Sequence, residues 1–136
     1  MKNILIACFC IVAVLLGCES KELAVSQNDI GVNISKGQNE SAVIKNASDL
    51  THKFEVKVLA IDDSRCPSDV VCVHAGWASV DFKINDLSFT LGIGESFEFT
   101  IHNQQFKLTL IDVVPYPTTT NQDERKKAIF VVDKVL

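Results

Sequence analysis

The segment Asp62-Asp63-Ser64-Arg65-Cys66-Pro67-Ser68-Asp69-Val70-Val71-Cys72-Val73-His74-Ala75-Gly76 gathers most of the side chains able to do chemistry. Ser64, His74 and an aspartate are the right types for nucleophilic catalysis. No nucleophile elbow or glycine-rich oxyanion context accompanies them, so no enzyme is expected. Cys66, Cys72 and His74, with His52 or His102, could compose a metal centre. Five residues separate the cysteines, outside the two-to-four spacing usual in zinc sites. Reduced thiols would favour copper(I), a soft ion. The C-x-x-C of a redox pair is absent. The expectation is a domain without a cofactor.

Arg65 offers a planar fork. It can clasp Asp62, Asp63 or Asp69 within the loop, or grip a carboxylate on a partner; the internal clasp is the simpler reading because local carboxylates are abundant. Asp63 and Ser64 can cap the turn through bonds to nearby amides, and Pro67 fixes a dihedral beside the first cysteine. His74 reads as a core or edge histidine. Trp77 follows Gly76, a good position for a β-bulge that would turn the indole inward, so a buried Trp77 is expected. Unbroken alternation would instead place it outside with Ser79, Asp81 and Lys83, as a partner surface. Arg65, His74, Trp77 and Tyr116 are the candidate partner-binding residues.

The N-terminus decides which cysteines remain. Lys2 is a short positive region, residues 4–16 an uncharged apolar run, and Gly17 the small residue before a cleavage point, which together read as a secretory signal over 1–17. The run is shorter than the ~20 apolar residues a spanning helix needs. Leu15-Leu16-Gly17-Cys18 resembles a bacterial lipobox. That resemblance implies acylation of Cys18 and attachment to the bilayer, on the periplasmic side of the inner or outer membrane or at the cell surface. Cys8 and Cys10 would leave with the signal, and Cys66 and Cys72 would remain in an oxidising compartment, where two thiols read as one disulfide. Losing residues 1–17 removes Lys2 and no carboxylate, leaving a charge one unit more negative than the full chain's −4. Scattered acidity of this kind argues against a nucleic-acid partner.

Residues 18–28 read as the lipidated cysteine and a polar tether, and 29–136 as one domain. In the domain apolar side chains recur with period two: Phe54, Val56 and Val58; Val80, Phe82 and Ile84; Leu87, Phe89 and Leu91; Phe97, Phe99 and Ile101; Phe106, Leu108 and Leu110. Asn85-Asp86, Gly92-Ile93-Gly94-Glu95 and His102-Asn103-Gln104 supply hairpin-like turns. Residues 30–34 and 42–45 are weaker strands and 127–135 a last one, after a loop that starts at Pro115-Tyr116-Pro117. Seven or eight short strands predict an all-β, Ig-like antiparallel β-sandwich, with a partly closed barrel as the alternative.

The Asp-Ser-Arg-Cys-Pro block, the second cysteine after five residues and the Val-x-Ala-Gly step resemble a family of small bacterial lipoproteins that carries no established activity. The likeness runs from about Gly37 onward. His74 stands where the family usually has an aromatic residue, commonly Trp. The function expected on these grounds is that of an anchored, non-enzymatic binding or structural module of the cell envelope. It would meet an envelope protein or other ligand through the stapled loop and the 115–123 loop; the runner-up is a copper- or zinc-handling or stress-protective lipoprotein.

Overall fold

The computed structural model describes residues 27–46 and 49–136. The signal segment, Cys18 and most of the tether lie outside the described residues, as does the His52 side chain. Among the described residues nine strands follow one another: β1 (Gln27–Asp29), β2 (Ile34–Gly37), β3 (Ser41–Asn46), β4 (Asp49–Asp63), β5 (Ala78–Ile84), β6 (Leu87–Gly92), β7 (Ser96–Ile101), β8 (Gln104–Val114) and β9 (Lys127–Lys134). They form two open sheets ordered β1-β3-β4-β5-β6 and β2-β9-β8-β7, a sandwich rather than a closed barrel. Every pairing is antiparallel except β1 with β3.

The alternating residues supply the core. Ile44, Val56, Val58, Val80 and Phe82 from one sheet meet Leu108, Leu110, Val113, Phe130 and Val132 from the other, all essentially without solvent contact. Aromatic rings bridge the layers, Phe82 against Phe130 at 5.2 Å and Phe54 against Phe99 at 5.5 Å. Each such buried side chain contributes roughly 1.5–3 kcal/mol of burial free energy.

Some local expectations need correction. Residues 30–33 form a turn between β1 and β2 instead of starting a strand. Gly92 to Glu95 does make a tight turn, with the Glu95 amide donating to the Gly92 carbonyl at 3.0 Å, but it joins strands of different sheets and closes no hairpin. The reason is visible next to it: Phe89 and Phe97 stack at 4.1 Å across that open side of the sandwich. His102 and Asn103 both have positive φ, as a two-residue hairpin turn requires.

Two bulges matter for everything at one end. The β4–β5 register shifts between Val58 and Ala60, and the β8–β9 register between Leu110 and Asp112. A one-residue slip swaps the faces of a strand. Beyond the first bulge Ile61 and Asp63 pair with buried Val80 and Ala78 and so point inward, while Asp62 points out. Beyond the second, Val113 is buried and the Asp112 side chain is about half exposed.

Candidate functional site

The loop between β4 and β5 continues their ladder. The Ser64 amide donates to the Trp77 carbonyl at 2.9 Å and the Cys66 amide to the Ala75 carbonyl at 2.7 Å. Cys66 and Cys72 form a disulfide, with Cα atoms 5.9 Å apart, which closes the tip. Gly76 makes the two arms' close approach possible. Its φ is +71°, and a Cβ built there would lie 2.0 Å from the Ser64 carbonyl oxygen, so no side chain fits.

Beneath this loop lies a buried ionic cluster. The Asp63 side chain is 3% exposed. Arg65 Nε donates to Asp63 Oδ1 at 2.7 Å and Nη2 to Oδ2 at 2.8 Å, while the Arg65 amide donates to Oδ1 at 3.3 Å. Lys126 Nζ adds a contact to Oδ2 at 3.3 Å and donates to the Pro115 carbonyl at 2.7 Å. The same guanidinium reaches into the second sheet, with Nη2 on the Val113 carbonyl at 2.6 Å and Nη1 on Asp112 Oδ1 at 3.3 Å. Burial pushes the Asp63 carboxyl up, but the Arg65 bonds and charge, with Lys126, outweigh it and hold it below the ordinary carboxylate range. The bond to Asp63 raises Arg65 further, against its own burial.

The loop after β8 is clamped onto this base. The Tyr116 ring lies over the guanidinium with 4.3 Å from the Arg65 Cζ to the ring centroid. The Ser68 amide donates to the Pro117 carbonyl at 3.0 Å, and the Thr119 amide donates to Asp69 Oδ1 at 3.0 Å. The Thr119 hydroxyl donates to the same carboxylate, and this bond holds Asp69 below its usual range. Asn121 ties the loop internally, receiving the Thr118 amide at 2.7 Å and donating to the Tyr116 carbonyl at 2.9 Å. The Val114–Pro115 peptide is cis. Two loops from two sheets are thereby fixed as one end of the sandwich.

The four candidate contact residues fall into different places there. Arg65 is engaged inside the cluster, its side chain 9% exposed. His74 is exposed, neither in the core nor in a strand. Tyr116 is half exposed. Trp77, expected in the core, is 67% exposed. Gly76 does turn the chain, but Ala78 takes the inward position and Trp77 stays on the outer face. There it borders a shallow depression with Ala60, Asp62, Ser79 and Asp81. Val70, Val71 and Val73 join the surface without having stood out as candidates. The last two have essentially full exposure, and Val70 is 44% exposed. Their signal is present in the sequence: β-branched apolar residues crowded beside a cysteine in a loop with no core to reach.

Groups that catalytic or metal chemistry would draw on are engaged in this arrangement. The Ser64 hydroxyl donates to the Trp77 carbonyl at 3.1 Å. Both cysteine sulfurs are consumed by the disulfide, which removes two of the ligands a copper or zinc centre would need. Among the described residues no group of three or more His, Cys, Asp or Glu is placed to hold a metal. None of their buried side-chain nitrogens or oxygens lacks a partner. A cleft of about 540 Å³ between residues 37–40 and 124–127 is lined by Glu40, Glu124, Arg125, Lys126 and Lys127, a mixed-charge wall, together with Ile61. No family model, curated protein or solved structure matches the chain.

Proposed function

We propose that the chain is a membrane-anchored bacterial lipoprotein whose sandwich works without catalysis, as a binding module of the cell envelope. The lipobox-like Leu15-Leu16-Gly17-Cys18 carries the anchor, and the Asp-Ser-Arg-Cys-Pro resemblance agrees with it. One observation carries the binding role. Val71, Val73 and Trp77 stand out in solvent on a loop that a disulfide, a buried ion cluster and a second loop hold rigid. Exposed apolar side chains on a fixed scaffold are costly to display and bind at a low ordering cost. The domain's acidic balance supports a partner other than nucleic acid. Metal handling has no comparable support, because the thiols it needs are bonded to each other.

The anchor is tested by the mass of the mature N-terminal peptide and by membrane fractionation. Cys18 carrying a diacylglyceryl group, with Cys18→Ser released from membranes, is expected. An unmodified Cys18 would overturn the lipoprotein reading.

A further inference from the structure

We infer that the loop end of the sandwich lies against the same bilayer that holds Cys18, with Val71 and Val73 entering the lipid interface and Trp77 at headgroup depth. This rests on the lipoprotein reading and deepens it, because it names the lipid surface as what the stapled loop contacts. The polarity of β1 is the first argument. Gln27 pairs with Val43 and Asp29 with Lys45, and those residues lie opposite Glu55 and Lys53 of β4. The chain therefore enters β1 travelling away from the Asp63 end of β4. Traced backwards from Gln27, the strand direction points to the stapled loop.

Length is the second argument. Glu55 to Asp63 is eight residues of strand, about 26 Å at the usual rise. Cys18 precedes Gln27 by nine residues, which reach about 30 Å at most. An acylated Cys18 can thus sit level with the base of the stapled loop, just past Asp63, without the tether reversing, and the Cys66–Ala75 pair and the tip lie beyond it. The third argument is the chemistry of the tip. Residues 70–73 are Val-Val-Cys-Val, with no charge. The nearest carboxylate in sequence, Asp69, is occupied by the Thr119 amide and hydroxyl. Small apolar side chains at the tip, with a Trp set back from them, match the depth order of an interfacial contact. A rigid hairpin tip also has little ordering left to lose on insertion.

Trp77 is the chain's sole tryptophan, so intrinsic fluorescence reads this surface directly. The experiment uses the full lipidated protein in phosphatidylethanolamine–phosphatidylglycerol vesicles, with and without lipids brominated near the headgroup. Acylation is verified by mass in the same sample. The expected result is a blue-shifted emission, with about half of it quenched by the shallow bromines. Val71→Asp with Val73→Asp should cut that quenching severalfold while the protein stays anchored; both positions are exposed, so the fold is undisturbed. Acylated protein whose Trp77 emission matches that of Cys18→Ser in buffer, and is not quenched, overturns the inference and leaves the lipoprotein reading intact. Trp77 shielded in native membranes yet insensitive to brominated lipid overturns it in favour of a protein partner. An unmodified Cys18 overturns both readings.

Discussion

Arg65 grips Asp63 at two points, Nε to Oδ1 at 2.7 Å and Nη2 to Oδ2 at 2.8 Å, although the two residues are only two apart in the chain. Asp63 ends β4 in one sheet, and the same guanidinium bonds the Val113 carbonyl in the other. A local clasp thus becomes the strut that joins the two sheets beneath the exposed loop. Bidentate carboxylate binding and ring stacking by Tyr116 both use the planar fork, which lysine lacks.

Arg65→Ala leaves a buried carboxylate with Lys126 as its remaining charge partner. Removing one member of a buried pair costs about 3–5 kcal/mol, and Lys126 at 3.3 Å places the expected loss near the lower figure. Urea denaturation measures it. Arg65→Lys should recover less than half of the loss, because the second bond and the stack are gone. A loss within about 0.5 kcal/mol, the range of ordinary surface changes, would contradict the role.

Acid stability depends on Asp63. Its folded value lies below the ordinary 3.8, so the folded protein binds this proton less readily than the unfolded chain. The resulting stabilisation is present above the unfolded value and is lost as pH falls through the lower, folded one. Asp69, lowered by the Thr119 hydroxyl and amide, acts with the same sign. Wild-type stability should therefore decline below about pH 4. Asp63→Asn should be less stable at neutral pH and show a shallower decline in acid; parallel curves would exclude the carboxylate as the cause.

Reducing Cys66–Cys72 opens a short loop, worth about 2 kcal/mol in the chain-entropy account. The sandwich core does not depend on it. Far-ultraviolet dichroism should be retained, while protease cleavage rises between residues 66 and 77. Global unfolding on reduction at room temperature would show that the bridge holds more than its loop.

Gly76→Ala combines a positive φ with a Cβ set 2.0 Å from a backbone oxygen that cannot rotate away. The expected destabilisation is about 2 kcal/mol or more, with loss of Ser64–Trp77 amide protection in hydrogen exchange. Gly94, whose φ is also positive but which has open space around it, is the control and should lose about 1 kcal/mol.

Much of the sandwich is legible in the sequence because period two is a direct signature of half-buried strands. Phe54, Val56, Val58, Leu108 and Leu110 are buried as that pattern requires. The bulges at Leu59 and Ile111 are not legible. They arise from how neighbouring strands fit, and they decide that Asp63 points inward and Asp112 outward. The Arg65 clasp can be anticipated, since its carboxylates are close in sequence, but its bond to Val113 forty-eight residues away cannot. Trp77 departs from expectation for a related reason. Burial is the usual fate of so large an apolar surface, yet Gly76 bends the backbone without shifting the strand's phase, and Ala78 keeps the inward place.

The central claim is that this protein meets its surroundings through the stapled loop end. Photo-crosslinking in living cells tests it most directly, with a benzophenone amino acid replacing Val73 at the tip or Asp86 in the turn between β5 and β6, at the opposite end of the sandwich. The account predicts that the Val73 probe crosslinks efficiently, chiefly to lipid, and that the Asp86 probe does not. Crosslinks at Asp86 with none at Val73 would contradict it.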